Sequence, residues 1–310
     1  MAGVLDGFAT IVALIAVGSL LAHLGVVDEA GQRTLSTLAF LVASPALLLT
    51  VLEDSDLGAV FSGNLVAMAG AVVVSAVPSV LVCVARRRRL GETVVASLCS
   101  SYQNAGNLGL PIAAYVLGDA ALVAPVLLMQ LLVLQPLALT LLDVDASREA
   151  GHAGLSVSGA LLRPVKNPIT IGSAIGLLLA VTDVELPAAV HDPLVLVAGM
   201  AVPSMLLAYG VSLRLGPLPG RGVPGPELAL AVVLKMAVQP LAAYAIGRFA
   251  LGLDGEALLA VTVLSALPTA QNVFIIASRY DRAGLLARDA IFVSTIASVP
   301  VITAITALVA

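Results

Sequence analysis

Apolar residues in this chain come in long stretches separated by short polar intervals. The stretches are too long for barrel strands of about ten residues and match helices of roughly twenty, the length that crosses a bilayer core. They predict ten spans, at about residues 5–24, 34–53, 61–85, 92–118, 121–142, 167–183, 191–213, 227–251, 256–280 and 285–309. Two of these break internally in the same manner. The fourth is interrupted over Ser101-Tyr102-Gln103-Asn104-Ala105-Gly106-Asn107-Leu108-Gly109-Leu110-Pro111, and the ninth over Ala266-Leu267-Pro268-Thr269-Ala270-Gln271-Asn272. Paired Gly/Pro-interrupted segments at corresponding places of two halves are a pointer to a transporter's binding site.

Composition agrees with this class. With 60% hydrophobic and 11% charged residues over 310 positions, polar surface is too scarce for a soluble fold. Mean hydropathy is +1.08. The chain therefore reads as an all-α integral membrane protein of the cell's inner (plasma) membrane. The net charge of −4 carries little information, because in such a protein placement matters more than sum. Cys83 and Cys99 read as small buried hydrophobes and not as a disulfide framework. His23, His152 and His191 have no partner at metal-ligand spacing.

Charge placement sets an orientation. Arg86-Arg87-Arg88-Arg89 between the third and fourth spans goes to the cytoplasm by the positive-inside rule. Alternation then puts Arg33, Arg148, Arg163, Lys166, Arg214, Arg221, Arg282 and Arg288 on the same side. Glu53, Asp54, Asp56, Asp119, Asp183, Glu185, Asp192, Asp254 and Glu256 fall on the other, and both termini are extracytoplasmic. Met1 to Thr10 has no basic residue and carries Asp6, so the first span does not read as a cleaved signal.

The halves align with one another. Gly18 pairs with Gly176, Pro45 with Pro203, Pro78 with Pro240, Glu92 with Glu256, Asn107 with Asn272, Tyr115 with Tyr280 and Pro136 with Pro300, at offsets of 158 to 165 residues. Five spans per copy is odd, so the copies lie oppositely oriented. This organisation gives a first repeat over 1–142, a cytoplasmic linker over 143–166, and a second, inverted repeat over 167–310. The interrupted fourth and ninth spans then cross near the midplane.

Backbone freed from helix at membrane depth is tolerated only where protein or a water-lined cavity satisfies it. Gly106 and Gly109 remove side chains there, and Pro111 suits the first turn of a restarting helix. Asn104, Asn107, Gln271 and Asn272 supply amides, and Pro268 stops the incoming helix. The competing reading makes these breaks kinks whose amides glue helices together. Restarting half-helices present their positive ends to the centre, which favours an anion. Lys235, about eight residues inside the eighth span, points the same way, with snorkelling to the interface as its alternative. Gln130 and Gln135, and Ser294, Thr295 and Ser298, are further polar groups for the same cavity. No Asp or Glu sits securely within a span, against a carboxylate proton relay, while coupling to H+ or Na+ stays open.

The Asn-x-Gly-Asn-x-Gly-x-Pro run at Asn104 to Pro111 and the Pro-x-Ala-x-Asn run at Pro268 to Asn272 resemble the auxin efflux carrier family, as do Arg163-Pro164, Asn167-Pro168 and Lys235 upstream of Pro240. That family includes plant PIN carriers and bacterial malonate-type permeases. The resemblance implies a scaffold of helices one, two, six and seven that dimerises, and a transport bundle of helices three to five and eight to ten that moves as an elevator. Asn107 and Asn272 would be the crossover amides, with Pro111 and Pro268 marking the breaks. The long central loop of the plant members is missing, so the chain looks like a compact bacterial member.

The function expected is secondary transport of a small organic anion, with no cofactor and no nucleic acid partner. A sodium-coupled symporter and a non-transporting solute sensor are the alternatives. An intramembrane enzyme is disfavoured, since the chain holds no His-Glu-x-x-His, Gly-x-Gly-Asp or Gly-x-Ser-x-Gly motif.

Overall fold

A computed structural model describes residues 2–53, 63–109, 112–149, 168–182 and 184–309. Pro111, Asp54, Asp56, Asp183, His152, Arg163, Pro164, Lys166 and Asn167 lie outside the described residues. The described residues are helical: α1 (Ala2–His23), α2 (Glu29–Glu53), α3 (Gly63–Ala85), α4 (Leu90–Ser101), the single turns α5 (Ala105–Gly109) and α6 (Ala113–Leu117), α7 (Ala124–Glu149), α8 (Pro168–Thr182), α9 (Ala188–Leu215), α10 (Gly225–Ala250), α11 (Gly255–Ser265), α12 (Asn272–Tyr280) and α13 (Gly284–Val309). Six of these, α2, α3, α7, α9, α10 and α13, are long and apolar enough to cross a membrane. The apolar helices α8 (Pro168–Thr182) and α11 (Gly255–Ser265) are shorter.

Prolines shape the long helices. A proline inside a helix cannot donate to the carbonyl four residues back, and its ring crowds that carbonyl. In α2 the turn Ala39–Ala43, just ahead of Pro45, widens so that Ser44 N–H reaches Ala39 O. The same widening precedes Pro136 in α7, where Gln135 N–H reaches Gln130 O, and Pro240 in α10, where Gln239 N–H reaches Leu234 O. Shifting bonds from the fourth to the fifth residue back keeps the freed groups paired without water.

Close helix contacts depend on glycine. Helix α1 packs along α9, and α2 along α8. A β-carbon at Gly18 would overlap the Leu207 carbonyl, and one at Gly176 would overlap the Leu49 carbonyl. In a bilayer the lipid tails are as apolar as leucine, so such backbone approach and dispersion take over from the hydrophobic effect. Helices α3, α4, α7, α10, α11 and α13 form a second packed group. The groups meet at α12, where Phe274 packs edge-on against Tyr209 of α9 (centroids 5.6 Å apart) and Tyr280 against Phe40 of α2 (6.2 Å).

Helix α7 runs on to Glu149, seven residues past the predicted end of the span. Its terminal acids are neutralised by distant chain: Arg282 Nε donates to Asp145 Oδ2 at 2.7 Å and also pairs with Glu149. Tyr280 Oη donates to Asp143 Oδ1 (2.7 Å), and Arg89 pairs with Glu149 at 2.9 Å. Arg88 closes this end by reaching Glu227 of α10 (2.6 Å).

Candidate functional site at a crossing of interrupted helices

Helix α4 stops at Ser101, and Tyr102 turns to extended backbone (φ −89°, ψ 106°). Helix α11 stops at Ser265; Pro268 has no N–H to continue it and pushes Leu267 away from helical backbone. The two unwound segments meet as a short antiparallel pairing of Gln103 with Thr269. Asn104 N–H donates to Pro268 O (2.8 Å) and Ala270 N–H to Tyr102 O (3.1 Å). Both strands then turn back into helix, at α5 and α12.

Side chains satisfy the backbone groups that the pairing leaves over. Thr269 Oγ1 donates to Cys99 O (2.7 Å), Gln239 Nε2 to Ser101 O (2.9 Å) and Gln130 Nε2 to Gln103 O (2.9 Å). Lys235 Nζ donates to Ser265 O at 3.0 Å, and Ser294 Oγ accepts from Thr269 N–H at 3.1 Å. At membrane depth each such group would cost several kcal/mol if left unpaired.

On one side of the crossing lies a cavity of about 220 Å³. Its polar wall comes from Tyr102, Gln103, Asn104, Asn107, Gln130, Gln135, Gln271 and Asn272, and its apolar wall includes Phe40, Leu48, Val51, Val202 and Met205. Among the described residues none that lines it is charged. Gln271 Oε1 accepts from Asn104 Nδ2 (2.7 Å) and Asn107 Nδ2 (3.2 Å), which locks three amides together across the crossing. Tyr102 Oη donates to Gln135 Oε1 at 3.0 Å, beside the Asn272 amide. Among the described residues, Gln271 Nε2, Gln103 Nε2 and Asn272 Oδ1 are buried without a hydrogen-bond partner. The first two are donors, the type of group that holds a carboxylate. The α12 amino end adds the partial positive charge of a helix N-terminus.

The residues singled out from the sequence divide accordingly. Asn104, Gly106, Asn107, Gln130, Gln271 and Asn272 come together around the cavity. Gly109 lies behind it, where a β-carbon would stand 3.3 Å from Leu267 Cδ1 and 3.4 Å from Val123. Pro268 contributes its carbonyl to the pairing, and Lys235 lies at the α11 end of the crossing and does not line the cavity. Ser44, Tyr102 and Met205 line it without having been singled out as site residues. Tyr102 lies inside the flagged break, whereas the α2 and α9 residues carry no polar signal beyond Ser44 beside Pro45. Among the described residues no group of three His, Cys, Asp or Glu could hold a metal ion.

Comparison with known proteins gives the family. The profile of the family described as membrane transport protein matches residues 4–306. A Rhizobium meliloti protein named "Putative malonate transporter" is 25% identical over 295 residues, covering 94% of this chain and 91% of the relative. A Methanothermobacter thermautotrophicus protein named "Uncharacterized transporter" is 27% identical over 293 residues, covering 93% of each chain. The chain belongs to the membrane transport protein family, the auxin efflux carriers, and is a membrane transporter and not an enzyme.

Proposed function

We propose that this protein is a secondary carrier that moves a small organic anion, a carboxylate, through the amide-lined cavity at the crossing. The observation that carries the reading is the unpaired, fully buried Gln271 Nε2 on a cavity wall held rigid by Asn104 and Asn107. Fixed neutral donors bind an anion without a permanent counter-charge, which leaves its release cheap enough for turnover. Apolar side chains opposite suit a solute whose charge sits at one end. The malonate name of the Rhizobium relative agrees with a carboxylate.

An inverted repeat of five helices over 1–142 and 167–310, ten in all, is supported by contacts that exchange under one offset. Gly18 meets Leu207 and Gly176 meets Leu49, and 158 residues separate both Gly18 from Gly176 and Leu49 from Leu207. Alternating access would then carry α3–α7 and α10–α13 as one body past a scaffold of α1, α2, α8 and α9, an elevator motion with the scaffold as the dimer contact. The gathering of Arg88, Arg89 and Arg282 at one end is consistent with a cytoplasmic face there and both termini outside an inner membrane.

The test is counterflow in proteoliposomes loaded with carboxylates, malonate first. Accelerated uptake of labelled malonate or another short carboxylate is expected, lost in Asn107→Ala. Binding without flux would leave a sensor, and equal flux in Asn107→Ala would remove the site.

A further inference from the structure

The polar and apolar parts of the cavity wall come from different parts of the molecule. All seven side-chain amides that line it stand on the two unwound segments or on α5, α7 and α12. The lining residues from α2, α8 and α9 are apolar, Ser44 excepted. Along α2 they recur as Phe40, Ser44, Leu48 and Val51, the spacing of one helix face, and at 1.5 Å per residue this strip is about 16 Å long. Val202 and Met205 of α9 stand three residues apart, again on one face. Leu48 and Met205 share one buried cluster, with Val202 packed against it.

An ionised carboxylate set against apolar side chains without donors loses its hydration and regains nothing, so it belongs on the amide wall. What is left of the solute meets the other wall, where each methylene taken out of water is worth about fourfold in affinity. At about 220 Å³ the cavity is smaller than the pockets that hold drug-sized ligands, so the space left for that remainder is short. Phe40 is a poor measure of it, because its ring is held edge-on by Tyr280 and lies 6.0 Å from the Arg279 guanidinium. Leu48, Val202 and Met205 are aliphatic, and Met205 adapts its shape readily.

We propose that the two walls divide recognition: the amides hold the carboxylate, and Leu48, Val202 and Met205 select the solute by the length of a short apolar tail and against a second charge at its far end. This rests on the carrier reading and deepens it by naming the residues that set specificity. It also gives the translocation step a simple surface. A solute bound by polar contacts to the bundle alone has few hydrogen bonds to exchange as it passes α2 and α9.

The test is binding of straight-chain monocarboxylates, acetate to hexanoate, to purified full-length protein by calorimetric titration and thermal shift. In the parent, affinity should rise about fourfold per methylene to an optimum and then fall. Leu48→Ala and Met205→Ala should move the optimum about two or three carbons longer while acetate stays within about threefold of the parent. Val202→Leu, which adds bulk at a half-buried position and tests the same wall should either truncation fail to fold, should shorten the optimum. Asn107→Ala should weaken every acid alike and leave the optimum in place. Butyrate should bind at least about tenfold tighter than succinate, which matches its length and adds a second charge. An optimum that stays put in the folded wall variants overturns the proposal, since a merely structural role lowers all affinities together. Succinate binding as well as butyrate, or no acid binding the parent, overturns it too. Binding is read without flux, so an unmoved optimum leaves counterflow standing, and absent counterflow with a moved optimum leaves a sensor whose walls divide recognition in this way.

Discussion

Gln271→Glu is the sharpest single change the cavity allows. The side chain keeps its shape, and a carboxylate oxygen still accepts from Asn104 Nδ2 and Asn107 Nδ2, at 2.7 and 3.2 Å in the parent. What changes is the other end: the unpaired, buried Nε2 donor of this cavity-lining residue becomes a second anionic oxygen. A bound carboxylate about 5 Å away would be repelled by about 3 kcal/mol at an effective dielectric constant near 20. Loss of a donor adds about 1 kcal/mol. The dissociation constant should rise a hundredfold or more. The assay is a thermal-shift titration against a carboxylate panel led by malonate, then counterflow with whichever anion stabilises the parent. Gln271→Met, which removes the shared acceptor without adding charge, separates lost packing order from repulsion: it should lower the midpoint more and affinity less. Affinity within threefold of the parent in Gln271→Glu would refute the placement of the anion beside Gln271.

Three further changes test the frame around the site. Gly18→Ala and Gly176→Ala should each cost about 1–3 kcal/mol in thermal unfolding, because the added carbon meets backbone carbonyls, whereas Gly106→Ala, with Leu127 3.9 Å off as its nearest neighbour, should fold normally. Thr269→Val should cost about 1–3 kcal/mol, measured by the unfolding midpoint, since it keeps volume but leaves the buried Cys99 carbonyl unpaired. Arg282→Met and Asp145→Asn should show a coupling energy of about 1–3 kcal/mol in a double-mutant cycle, their side chains being only 11% and 12% exposed.

Much of this was written in the periodicity of the chain, for physical reasons. Six long helices fall on predicted spans because the bilayer fixes a length that apolar runs must meet. Both breaks were legible because Gly, Pro and amides are costly in a span unless the backbone leaves helix there. Helix α7 was shortened in the sequence reading because Asp143, Asp145 and Glu149 look like loop, and their partners Tyr280 and Arg282 lie more than 130 residues away. Lys235 was legible as a polar residue within its span, and it is buried. Which side of the crossing its amine serves depends on the wide turn at Leu234–Val238, a geometric response to Pro240 that spacing alone does not encode. The apolar cavity wall from α2 and α9 carried no signal either, since Leu48, Val202 and Met205 look like any lipid-facing residue.

The most direct test of the central claim is side-resolved labelling at Gly106, which is exposed on the cavity wall and has no side chain in the amide cluster. Cys83 and Cys99 are both buried, so Gly106→Cys supplies the reactive thiol. An impermeant maleimide added from either face of oriented membranes should label it, and the transported anion should slow the reaction from both faces. Labelling confined to one face whatever the conditions, or unchanged by an anion that is being transported, would contradict a site at the crossing with alternating access.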